Sequence, residues 1–211
     1  MKAKAFLFIL SIIITLGAFS QEKIKIKKID FITKEQGADE AWKLIKQGDK
    51  NYRQGKAFYR EARKYYLRAY NYNDKNAALN YKIGVCYLYA DEKTEALKYL
   101  KKAFELNNNV SNDIHFQLAR AYHMNLDFDN AIKEYQFFKS NTPIKKLKKI
   151  NYNIDKLIEN CQTGKEIIAN PERAVVKNVG KGVNSEYDDF GPVIDMKEEI
   201  MYFTSRRPSK Y

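Results

Sequence analysis

The sequence predicts a mainly α fold: a solenoid of stacked helix pairs closed by a capping helix, with a short β segment after it. Three observations carry that expectation. Ala62, Tyr66 and Ala69 recur as Ala96, Leu100 and Ala103, then as Ala131, Tyr135 and Phe138, at offsets of 34 and 35 residues. A second register, Gly48, Gly84 and Ala119, runs beside the first, and Tyr87 and Tyr122 each follow their small residue by three positions. Beyond Pro171 the helical spacing gives way to short β-type runs. A period near 34 residues belongs to helix-pair repeats, in which each pair buries its apolar face only by stacking on a neighbour.

Residues 1–20 have the three parts of a secretory signal peptide: Lys2 and Lys4, an apolar run over residues 5–16, and Ala18-Phe19-Ser20 before Gln21. The run is shorter than the roughly 20 residues a membrane span needs, so no transmembrane segment is expected after cleavage. No Cys follows it, and the usual lipid attachment site is missing. Residues 21–37 form a Lys-rich lead-in carrying Ile24, Ile26, Ile29 and Phe31, expected to lie extended against the stack.

Helical periodicity starts near Ala38. Pairs are expected at about 38–54 and 57–71, 76–89 and 93–106, and 111–124 and 128–140, with turn clusters at residues 71–74 and 107–109. The loop of the first pair, Gly55 to Tyr59, is two residues longer than in the other pairs. Small residues four or seven positions from a large one share a helix face, where they let two helices approach closely. Thr142-Pro143 reads as the start of a capping helix, with Thr as cap and Pro in its first turn. Its apolar stripe is Ile144, Leu147, Ile150, Ile154, Leu157, Ile158 and Cys161, and the repeat domain spans 38–169. Lys145, Lys146, Lys148, Lys149 and Lys156 mark its other face, either a solubilising surface or one for an anionic partner.

The chain carries 38 Lys+Arg against 26 Asp+Glu, a net charge of +12. The charges are interleaved along helices, the pattern of solvated faces, and export argues against nucleic acid as a partner. Cys86 and Cys161 sit on elements at different ends of the stack and are expected as buried free thiols. His115 and His123 have no ligand set at metal spacing. No phosphate loop or nucleophile elbow is present, so no catalytic residues, metal or cofactor are expected.

Residues 41–169 resemble tetratricopeptide repeats with an appended helix. After them, residues 174–179 read as a strand, and residues 190–194 and 200–204 as short β runs around a turn at 195–199. The stretch Asn184-Ser185-Glu186-Tyr187-Asp188-Asp189-Phe190-Gly191-Pro192, with Tyr202-Phe203-Thr204-Ser205-Arg206-Arg207, is similar to the opening repeat of a TolB-like, WD-type β-propeller. In that resemblance Asp188 and Asp189 belong to turns that register strands. Residues 170–211 then amount to a first, incomplete β-propeller blade, because a propeller needs typically four to eight blades. The expectation is that the chain is an N-terminal part of a longer protein. The whole arrangement resembles Gram-negative envelope proteins with a signal peptide, tetratricopeptide repeats, a propeller and often an OmpA-like peptidoglycan-binding domain.

That resemblance implies a periplasmic, outer-membrane-associated scaffold, within a peptidoglycan-linked or type IX secretion assembly, that holds another envelope protein or peptide in a concave groove. Contact with peptidoglycan would need a domain these residues do not contain. The rival implication is the N-terminal part of a propeller-containing peptidase or other hydrolase. The groove is formed by the first helix of each pair. Aligning the small residues places Trp42 and Tyr52 there from the first repeat, Tyr81 and Tyr89 from the second, and Phe116, Arg120 and His123 from the third. Aromatic and Arg side chains suit interface anchors. The Lys/Asn set with which some tetratricopeptide domains clamp a terminal carboxylate is not matched, since Ile45 and Asp49 hold those places.

Overall fold

Residues that must bury small side chains against large ones across helix pairs do so here in three successive layers. The computed structural model describes residues 24–31, 38–172, 175, 177–197 and 199–208. Residues 1–20, read above as a signal peptide, lie outside the described residues. Among the described residues no helix is long and apolar enough to cross a membrane. The chain divides into two units after Ala169.

In the first unit the helices run α1 (Ala38–Arg53), α2 (Tyr59–Tyr70), α3 (Ala77–Tyr87), α4 (Ala96–Leu106), α5 (Ile114–Met124), α6 (Phe128–Asn141), α7 (Ile144–Leu147) and α8 (Ile154–Ala169). The six repeat helices follow the sequence expectation closely. Two of them, α2 and α4, begin one turn late behind 3-10 turns at Lys56–Phe58 and Lys93–Glu95. Asn76 caps α3 by accepting from the Leu79 amide at 2.8 Å, and Asp127 caps α6 through the Asn130 amide. Each satisfies an amide that the first helical turn leaves without a partner.

The two small-residue registers meet as anticipated. A Cβ placed on Gly84 would lie 2.6 Å from Leu100 Cγ and 3.2 Å from the Ala96 carbonyl oxygen, and one on Gly48 would lie 2.5 Å from Tyr66 Cε1. The large residue of the second helix therefore fills the notch left by the small residue of the first. Ala62, Ala96 and Ala131 are fully buried beside them. Three apolar clusters result, the first across α1, α2 and α3, the second across α3, α4 and α5, the third across α5, α6 and α8. The shared helix α3 sends Leu79, Ile83 and Cys86 into the first cluster and Tyr81, Val85 and Leu88, just past its end, into the second. That double duty is why its sequence lacks a polar face.

The cap departs from expectation. The chain after α6 is not one helix opened by Thr142-Pro143: Thr142 ends α6, Pro143 precedes a single turn of helix, and the long helix starts only at Ile154. Ile144 is exposed, while Leu147, Ile150, Ile154, Leu157, Ile158 and Cys161 join the third cluster. The stripe covers the end of the stack even though its helix is broken.

The lead-in packs as expected. Ile26 and Phe31 enter the first cluster and Ile24 packs on the second. Within its described residues, Lys28–Phe31 form a 3-10 turn rather than extended chain. Asp30 clips that turn down, its carbonyl accepting from Asn73 Nδ2 at 2.6 Å and its carboxylate from Asn76 Nδ2 at 2.8 Å.

The second unit contains β1 (Asp189–Ile194) and β2 (Met201–Ser205), an antiparallel pair. Asp189 pairs with Ser205 and Ile194 with Met201, with an irregularity between Phe190 and Val193 where Gly191 takes a positive φ of 65°. Asp195 closes the turn by accepting from the amides of Glu199 and Ile200. Among the described residues of 174–179, none is in a strand, so the first expected strand is absent there. Two strands do not make a four-stranded blade.

Candidate functional site

The helix face lined by α1, α3 and α5 is where the sequence places partner-binding side chains, and the fold divides those seven residues into two groups. Tyr81 and Phe116, expected to line the groove, are core residues at 3% and 4% exposure, so the fold does not leave them open to a partner. The Tyr81 hydroxyl donates to Asp113 Oδ1 at 2.6 Å, bolting α3 to the turn before α5. Phe116 packs against Tyr135, Phe138 and Tyr152. Both occupy the position three residues before the small residue of the register, which faces the neighbouring repeat rather than water.

Trp42, Tyr52 and His123 are half-buried. Trp42 leans on the first cluster. Tyr52 stacks on Tyr59, with ring centroids 4.7 Å apart and planes 8° off parallel, and meets Tyr66 edge-on. Burial drives the Tyr52 phenol well above its ordinary value. Beneath it, Asp49 accepts from both the Tyr66 hydroxyl and the Lys82 ammonium at 2.6 Å. Lys82 is buried, and the carboxylate compensates a charge that would otherwise be costly to desolvate. His123 packs edge-on against Phe128 and Tyr135, and burial holds its imidazole below the usual range.

Tyr89 and Arg120 are the two of the seven that the fold both brings together and leaves half-open. Arg120 Nη1 donates to Tyr89 Oη and to Gln117 Oε1, each at 3.1 Å. Its guanidinium lies over three rings, with Cζ 4.8 Å from the Tyr89 centroid, 5.2 Å from Tyr152 and 5.9 Å from Phe116. Lys56 adds a second cation, its Nζ 4.8 Å from the same Tyr89 centroid, and Tyr59 meets that ring edge-on. Burial opposes ionisation of the Tyr89 phenol. Tyr152, Arg120 and Lys56 outweigh it and draw the phenol below its ordinary value.

The alignment of small residues did not reach Lys56, Tyr59 and Tyr152, which lie outside the first helices. The loop expected at Gly55 to Tyr59 was the available signal for Lys56 and Tyr59, which both meet Tyr89. Tyr152 had none, because its place depends on the break between α7 and α8. A further pair the sequence did not suggest joins His115 Nδ1 to Glu134 Oε2 at 2.6 Å, between α5 and α6.

Both cysteines are free and buried, in different clusters. Burial pushes the Cys86 thiol up to about 12 and the Cys161 thiol up to about 11. Among the described residues no group of three or more His, Cys, Asp or Glu side chains is placed to hold a metal ion. In the second unit Asp189 accepts from the Ser185 amide and hydroxyl at 2.8 Å, and Arg207 reaches its other oxygen. Hydrogen bonds from Ser205 and Ser185 hold its carboxyl far below the usual range. Its neighbour Asp188 pairs with Arg206 at 2.7 Å. Both carboxylates tie the strands to their flanking turns.

No family model matches the chain, and no curated protein matches it either. Among solved structures it is similar to the first TPR domain of the human RPAP3 protein, at 17% identity over 63% of this chain and 97% of that one, with a TM-score of 0.45. It is also similar to the type III secretion translocator chaperone SycD of Yersinia enterocolitica, at 16% identity over 63% and 90%, with a TM-score of 0.47. A third likeness is to the MamA protein, at 22% identity over 65% and 79%, with a TM-score of 0.42.

Proposed function

We propose that this chain is an exported, outer-membrane-associated scaffold that holds another envelope protein on the face lined by α1, α3 and α5. The observation that carries the reading is the group of half-buried Tyr89, Arg120 and Tyr152, with exposed Lys56 over the Tyr89 ring. Aromatic rings and Arg in a partly desolvated setting are the residue types that dominate binding energy at protein interfaces. Export rests on residues 1–20, and the second unit is read as the start of a propeller blade within a peptidoglycan-linked or type IX secretion assembly.

A photo-crosslinking amino acid at position 89 tests the groove, with the same group at Lys133, exposed on α6, as the control. A partner cross-linked from position 89 and not from 133 supports the reading. Loss of that partner in Lys145→Gln, Lys148→Gln, Lys149→Gln, with full retention in Tyr89→Ala, would move recognition to the capping face and sink the groove. Intact mass of the exported protein checks the leader, with Gln21 the expected first residue.

A further inference from the structure

Most cations that the stack holds close have a carboxylate. Arg63 is met by Glu92 at 2.8 Å, Lys82 by Asp49 at 2.6 Å, Lys102 by Asp74 and Lys139 by Asp155, each at 2.5 Å. Arg120 is the exception. It is half-buried among three rings, and among the described residues its hydrogen-bond partners are neutral, Tyr89 and Gln117. A guanidinium so placed has lost part of its hydration without gaining a counter-charge.

The acid best placed to help is already taken. Gln117, which accepts from Arg120, donates through its other end to Asp113 Oδ2 at 2.8 Å. Asp113 also receives Tyr81 and Ser111. Lys56 then makes the imbalance larger by bringing a second positive charge to the same ring. Among the described residues the buried side-chain atoms that lack partners are Asn80 Oδ1 and Arg207 Nε, and no nitrogen of Arg120 is one of them.

We infer that Arg120 and Lys56, walled by Tyr89 and Tyr152, receive the carboxylate of an Asp or Glu side chain from the segment the groove binds. The planar fork of Arg matches a carboxylate in two-point contact, and the rings flank the methylene stem of such a side chain. This rests on the groove reading above, and adds that the bound segment is acidic.

The probe is an end-blocked peptide of alternating Glu and Leu, rhodamine-labelled and followed by anisotropy with the full chain at low salt. Its Gln-for-Glu counterpart should bind about tenfold more weakly or worse. Arg120→Gln should weaken the Glu peptide by about tenfold, and Arg120→Lys by less, since charge remains without the fork. Lys56→Gln, at an exposed position outside the helices, should weaken it about two- to threefold and flatten its salt dependence. If Arg120→Gln fails to fold by circular dichroism, the Arg120→Lys and Lys56→Gln arms still decide. The inference is overturned by no binding of the Glu peptide, by equal binding of the Gln peptide, or by unchanged affinity in the Arg120 and Lys56 variants. It is also overturned if the Gln peptide with a free C-terminal carboxylate matches the Glu peptide, which would assign the site to chain ends. If Tyr89→Ala no longer co-purifies the partner identified by cross-linking while Arg120→Gln still does, the groove stands and the carboxylate site falls. If both variants keep the partner, the groove reading falls.

Discussion

The helical stack and the strand unit spend their apolar residues in opposite ways. In the stack, Tyr66, Leu79, Ile83, Leu100, Ile114 and Tyr135 are removed almost wholly from water. In the strand unit, Val175, Val179, Phe190, Val193, Ile194, Met196, Ile200 and Tyr202 are all exposed. A two-stranded ribbon has no second layer to bury its faces against and is marginal on its own. The difference teaches that stability in this chain comes from interlocking helix pairs, while the ribbon is held by polar ties at its ends. Asp195 ties the turn and Asp188 and Asp189 the two arginines.

The sharpest way to break that contrast is Ala96→Leu. Ala96 is fully buried where α4 meets Gly84 of α3, and the extra methyl groups have nowhere to go. Overpacking should cost the stack about 1–3 kcal/mol, read as a lower thermal midpoint of the full chain. An unchanged midpoint would mean that the small-residue register does not set the helix spacing.

A smaller effect comes from His123. Burial lowers its pKa in the folded state, so the unfolded chain takes up the proton first as pH falls below about 6.5. The contribution is complete above that value and is lost as pH drops toward the lowered folded pKa. Melting curves at pH 7.5 and 5.5 should therefore show a larger acid loss for the wild type than for His123→Gln. The tied carboxylates of the strand unit, with their lowered pKa values, should be untouched over that interval. Equal pH dependence in the two proteins would show that the imidazole is not desolvated.

Least should follow from Val193→Asp, on an exposed position of β1. The unfolding midpoint of the stack should stay within about 0.5 kcal/mol of wild type. A loss comparable to that of Ala96→Leu would show that the ribbon contributes to the stability of the helices after all.

The stack was legible because its packing rule is local: small residues at fixed spacing show in the sequence which helices can approach. Gly84 against Leu100 and Gly48 against Tyr66 are that rule made physical. The site was legible only in part. Tyr89 and Arg120 followed from the register, but so did Tyr81 and Phe116, and spacing cannot say whether an inward-facing ring meets water or the next repeat. That depends on neighbours more than 30 positions away, such as Asp113 for Tyr81. The break between α7 and α8 escaped because Ile144 through Cys161 keep an apolar stripe across it, and a stripe does not record where backbone hydrogen bonding stops. Among the described residues of 174–179 no strand forms, since β-branched residues favour extended chain but require a partner strand to become one.

The connection between α1 and α2 carries two tasks in very few residues. Gly55, at φ 95°, and the short turn after it set Lys56 and Tyr59 against Tyr89. Tyr59 also stacks on Tyr52, whose ring meets Tyr66 at the lock between the two helices. An insertion, deletion or exchange there would therefore disturb the helix lock and the group around Tyr89 together, so neither can drift without the other.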